Sequence, residues 1–205
     1  MKVRIKRVIL AVLFLLGGFI LLLVLGVGFL WWRFPVHQHC IKGAGTEFRL
    51  YSGDHEGRFP FSTNGFGDAL LLMAKSRGDD ASSVIAVVTG VGDDGGAYRK
   101  ALTNGTHLAE TNCSRIYVQG LTRESNPQIA MLFDAYPTHG GDHFRRPWGP
   151  LVREVCLVDG SMQIIPEAGW PAFAKKQIEL LVASGISRTN AEKYYKLATV
   201  KHSQY

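Results

Sequence analysis

One short stretch carries the densest reactive chemistry in this sequence: Thr138-His139-Gly140-Gly141-Asp142-His143. Two imidazoles and a carboxylate are the donor types that hold a transition metal. Asp134 or His107 would serve as a further protein ligand, and the product would be a metal-dependent hydrolase using His139, Asp142 and His143. Two histidines at i and i+4 share a face only on a helix, however, and Gly140-Gly141 works against one. The competing reading is a glycine-shaped turn whose imidazole bonds backbone groups of the later Asp159-Gly160 hairpin. That structural reading is preferred, so no catalytic residue, no metal ligand and no cofactor is assigned.

Four further groups invite a chemical reading. Arg145-Arg146-Pro147-Trp148 offers two guanidinium forks beside a large aromatic, the means to contact an acidic partner or an envelope polymer through Arg145, Arg146 and Trp148. Asp79-Asp80 and Asp93-Asp94-Gly95 are rich in oxygen but lack the ligand spacing of a calcium loop, and read as solvated turns. Neither Gly-x-Ser-x-Gly nor Ser-x-x-Lys occurs, and no cysteine is read as a reactive nucleophile. Cys40, Cys113 and Cys156 allow one bridge and leave one thiol over. Cys113 and Cys156 both flank strand-like segments and are the expected pair, with Cys40 as the alternative partner of Cys113.

The elements that must position these residues begin with a membrane segment. The chain has 205 residues, 46% of them apolar and 20% charged, which excludes general disorder. The formal charge of +6 is concentrated at the start. Lys2, Arg4, Lys6, Arg7 and Arg33 supply five of the 23 basic residues, and the rest nearly balance the 17 acids. A nearly neutral remainder gives no footprint for nucleic acid. Residues 8–32, Val8 to Trp32, carry no charge. As a helix this run would measure roughly 37 Å against about 30 Å of bilayer hydrocarbon. Trp31-Trp32 ends it where an aromatic belt sits. A cleavable signal has an apolar core of about 7–15 residues and a small-residue cleavage site, neither of which is found here. The reading is a cytoplasmic basic segment at 1–7, a transmembrane helix at 8–32 in contact with membrane lipid, and an exported domain at 33–205.

Within that domain, Ile41, Ala44, Phe48 and Tyr51 recur at helical spacing, so 34–51 is expected to continue as a helix past Pro35. Turn chemistry follows through Pro60. Gly67 to Arg77 and Ala97 to Leu102 read as short helices. Ser83 to Thr89, rich in β-branched residues, is expected to be a buried strand. Further strands are expected at 115–120, 128–135, 152–158 and 162–165, the last two joined by Asp159-Gly160-Ser161 as a hairpin. Helices at 170–184 and 189–198 close the chain, with Pro171 in the first turn of the former.

Span, helix, turn and antiparallel sheet form the plan of a type IV pilin-like subunit. Cys40, Phe48, Tyr51, Asp54, Gly57, Phe59 and Pro60 resemble the Cys, Tyr, Asp, Gly, Phe-Pro stretch that follows the first helix of type II secretion pseudopilin-like proteins. Tyr117-Val118-Gln119-Gly120-Leu121-Thr122 and Ile129-Ala130-Met131-Leu132-Phe133-Asp134 look like that group's middle strands. His139-Gly140-Gly141 and Val158-Asp159-Gly160 are similar to the His…Asp-Gly signature of prepilin-type, processing-associated proteins, although 19 residues separate His139 from Asp159. The resemblance implies an α+β fold: a transmembrane helix, a pilin-like antiparallel sheet domain and C-terminal helices. It also implies a structural or interaction role in the bacterial cell envelope or secretion apparatus, not catalysis, with other pilin-like or secretion-system subunits as partners. Gly18-Phe19 is the nearest match to a leader junction, and Leu23 stands where such proteins carry a glutamate.

Overall fold

A computed structural model describes residues 15–26, 41–90, 96–139 and 149–200. The chain divides into two compact units, Met1–Val36 and His37–Tyr205. In the first, residues 15–26 are helical and every side chain is exposed, including Leu15, Phe19, Leu22 and Leu25. Among the described residues no helix is long and apolar enough to cross a membrane.

The second unit is α+β, with an antiparallel sheet and helices. Its first described helix, α1 (Ile41–Asp54), buries Ile41, Ala44, Gly45, Phe48 and Ser52, the stripe that helical periodicity requires. Residues 34–40 lie outside the described segments. α2 (Phe66–Lys75) is almost wholly apolar on its buried side, through Phe66, Ala69, Leu70, Met73 and Ala74.

Residues 83–89 correct an expectation, because they belong to a helix, α3 (Ala81–Thr89), and not to a strand. Val84, Ile85, Val88 and Thr89 are buried at helical spacing, and Thr89 donates its hydroxyl to the Ile85 carbonyl at 2.7 Å. Gly90, at φ 69°, closes the helix with its N–H on Ala86 O. β-Branched composition measures fit to a pleated surface, and tertiary burial overrode it here. α4 (Gly96–Asn104) follows.

The sheet contains β1 (Arg115–Tyr117), β2 (Ala130–Asp134), β3 (Thr138–His139), β4 (Leu151–Leu157) and β5 (Met162–Pro166). β4 is central. It pairs antiparallel with β2 and β3 along one side and with β5 along the other, while β1 extends the sheet from β2. The β4–β5 hairpin turns at Asp159-Gly160 as expected, with Gly160 at φ 77°. β3 was not expected as a strand; it forms because β2 runs on to meet the first residues of β4, Thr138 opposite Val152 and His139 opposite Leu151.

Both faces of the sheet are covered. Phe48 of α1 stacks on Tyr117 of β1 with ring centres 4.9 Å apart, and Tyr117 donates its hydroxyl to Pro60 O at 2.8 Å. On the other face lie α5 (Trp170–Ala183) and α6 (Arg188–Val200), whose Trp170 and Tyr195 pack on Phe133 of β2. Burying the aromatic rings of both layers adds apolar area that holds them to the sheet.

Candidate functional site

The loop with the densest chemistry spans the tip of the β3–β4 hairpin, because its two ends are the paired residues His139 and Leu151. His139 is exposed, and its Nδ1 lies 2.8 Å from the Gly149 carbonyl, so one ring nitrogen is used to close the base of the hairpin. Asp142, His143, Arg145, Arg146 and Trp148 lie outside the described residues. The two candidates for an extra metal ligand are engaged elsewhere. Asp134 accepts the Glu154 N–H at 2.9 Å and faces Arg115 at 3.5 Å, whereas His107 Nδ1 sits 2.6 Å from Asp68. Among the described residues no three histidine, cysteine or carboxylate side chains converge on a metal position.

His139 and the Asp-Gly turn occupy opposite ends of β4, so the expectation that the imidazole bonds the turn is corrected. Seven residues of extended strand, about 23 Å at 3.3 Å each, separate the two ends. The backbone carbonyl that His139 meets is Gly149, before the strand begins. The Asp-Gly turn instead docks on α1. Arg49 donates to the Asp159 carbonyl, and a Cβ on Gly160 would lie 2.5 Å from the Arg49 guanidinium. The Asp159 carboxyl is lowered below its usual value chiefly by the Ser161 hydroxyl; burial opposes this, and the Ser161 N–H and Arg49 add to it.

The two expected disulfide partners belong to different parts of the sheet: Cys113 precedes β1, and Cys156 of β4 pairs opposite Leu132 of β2. Both cysteines are buried, Cys113 near the Ala109 carbonyl and Cys156 beneath Gly45 of α1. Cys40 lies outside the described residues.

Two polar constellations had no counterpart in the sequence reading. In the first, Arg153 of β4 is 1% exposed and gives both Nε and Nη2 to Glu167, at 2.8 and 3.0 Å. Its Nη1 reaches the carbonyls of Asp134, Ala135 and Ala198, at 3.3, 2.7 and 3.5 Å, while the guanidinium lies 4.7 Å from the centre of Trp170. One planar fork thus joins β2, β4 and the last helix. An open groove of about 350 Å³ lies above it, walled by Trp170, Ala174, Ile178 and Tyr195. A charged pair, Arg153-Glu154, inside an apolar run was the available signal.

In the second, Asp68 in the first turn of α2 holds a returning loop. It accepts the Leu108 N–H at 2.8 Å, His107 at 2.6 Å and the Asn64 amide at 3.3 Å. Burial raises the Asp68 carboxyl, but these donors together outweigh it and bring it below the usual value. Two residues on, Glu110 accepts the Phe66 N–H at 3.1 Å and lies 3.6 Å from Lys193. The loop therefore fastens α2 to α6. Both constellations secure architecture through fixed acceptors and donors.

No family model, curated protein or solved structure matches the chain.

Proposed function

We propose that this chain is a single-pass, membrane-anchored pilin-like protein with a structural or interaction role in the bacterial cell envelope or secretion apparatus. The observation that carries the reading is the helical stretch 15–26, whose apolar side chains are exposed on every side, within a charge-free run from Val8 to Trp32. An apolar surface with no polar face requires an apolar solvent. Basic residues at 2, 4, 6 and 7 favour a cytoplasmic N-terminus in the inner membrane, which leaves the following domain exported.

The second unit supports the pilin-like part. α1 lies along an antiparallel sheet, and the residues that carry the resemblance have architectural work. Gly57, at φ 78°, turns the chain after α1; its carbonyl accepts the Arg123 N–H at 2.9 Å. Phe59 meets Phe48 edge-on, and Pro60 accepts the Tyr117 hydroxyl. Asp159-Gly160 seats the β4–β5 hairpin on α1. Other pilin-like or secretion-system subunits are the partners this role requires.

The test is fractionation of cells expressing the full chain. The protein should remain with the inner membrane after alkaline extraction, and protease added outside should digest the domain after residue 33. Release by alkali would end the anchor reading. The intact mass of the extracted protein then separates two modes of action: a methylated form beginning at Phe19 means entry into a fibre, and retention of the first 18 residues means a permanent anchor.

A further inference from the structure

The two edges of the sheet are treated differently. β1 is enclosed, lying against α2, α3 and α6, with Ser114 N–H on Thr89 O at 2.9 Å and Gln119 N–H on the Tyr194 hydroxyl at 3.3 Å. β5 has β4 on one side only. Leu157 N–H donates to Ser161 O, which fixes the alternation of the ladder: Gln163 and Ile165 direct their main-chain groups to β4, and Met162 and Ile164 direct theirs outward. No backbone hydrogen bond among the described residues uses those outward groups.

Natural edges are usually blunted by short length, charge, proline, a bulge or a covering segment. Of these, β5 has only its five-residue length and the proline at its last position. Met162-Gln163-Ile164-Ile165-Pro166 has no charge and no bulge against β4, and Ile164 is 49% exposed. The strand is also complementary to itself. If a second copy approaches antiparallel with Ile164 opposite Ile164, each Ile164 N–H meets the other's carbonyl. Each Met162 N–H then meets a Pro166 carbonyl. Pro166 lacks an N–H to offer, so each end pair makes one bond and leaves the Met162 carbonyl to water. Centring the pair on Ile164 overlaps all five residues, sets no charge opposite a like charge, and places the two Ile164 side chains together on one face at a Cα separation of about 5.5 Å.

We infer that β5 is a pairing edge for a second copy of this chain, joining two sheets into one across a two-fold axis at Ile164. Each copy uses its β5 edge once and the two-fold axis closes the contact, so the product is a pair and not an open-ended ribbon. The inference does not rest on the membrane anchor.

The full chain in detergent tests it, by cross-linking and light scattering across a concentration series. Wild type should give a dimer. Ile164→Asp and Ile164→Lys, each at an exposed position, should each weaken dimerisation about tenfold or more, through like charges at the axis and lost apolar burial. Mixing the Asp and Lys variants should restore pairing as a heterodimer. Unchanged near-ultraviolet circular dichroism of the variants keeps a folding defect separate. Persistence of the dimer in both charged variants would place the contact elsewhere and overturn the proposal. A monomeric wild type across the series would overturn it too, and so would occupation of the edge by an extended segment of a different protein.

Discussion

Gly45 of α1 and Cys156 of β4 approach so closely that a Cβ added to Gly45 would lie 2.9 Å from the Cys156 sulfur. The glycine lowers local helix propensity by roughly 1 kcal/mol relative to alanine. The close approach it permits is what lets α1 lie flat on the central strand. Gly45 is buried and is followed three residues later by Phe48, the ring that stacks on Tyr117.

Gly45→Ala is therefore expected to destabilise, despite its better helix propensity. Overpacking of a tight core costs about 1–3 kcal/mol. Urea unfolding gives the value, and Cys156→Ala in the same chain should recover part of the loss by removing the sulfur. A stabilised Gly45→Ala variant would mean that helix and strand are not in contact there.

Asp68 sets an acid limb of stability. Its folded carboxyl lies below the ordinary value of 3.8, so its contribution is complete above that value and is lost as pH falls through the folded pKa. Asp68→Asn should lower stability at neutral pH and flatten the dependence below about pH 4. Chemical denaturation at a series of pH values reads both effects. An unchanged acid limb in the variant would show that the Leu108 and His107 bonds do not form in solution.

Arg153→Ala should cost about 3–5 kcal/mol, because it leaves Glu167 and three carbonyls without their common donor. Arg153→Lys should recover little, since an ammonium cannot span a carboxylate and carbonyls from two further elements at once. Thermal unfolding of the two variants compares them directly. Equal stability of Arg153→Lys and wild type would argue against the fork.

His139→Ala should cost less than about 1.5 kcal/mol, the worth of one exposed hydrogen bond to a carbonyl. Elemental analysis of the purified full chain provides the second readout. Stoichiometric zinc lost in His139→Ala would replace the hairpin-closing role by metal binding.

Local signals were enough where a single element carried its own pattern. The α1 stripe, the Asp159-Gly160 turn and the Pro171 helix start all follow from residues within one turn or one hairpin. Ser83 to Thr89 was misread because β-branched content does not register whether helices are waiting on both sides; α3 lies against α1 and α2. β3 escaped notice because two residues become a strand only through the register of β4. The Arg153 network was equally silent, since its acceptors lie 14 to 45 residues away in the chain. Each miss is a long-range pairing, which neither periodicity nor turn chemistry encodes.

The Arg153 fork also ties three distant segments into one event. A guanidinium cannot leave water until its acceptors are assembled, and these come from the end of β2, from Glu167 and from the end of α6. Its burial is therefore complete only when all three are in place, and loosening any one of them exposes the charge to water. The amides at the end of β2, around Glu167 and in the closing turn of α6 should exchange as one cooperative group.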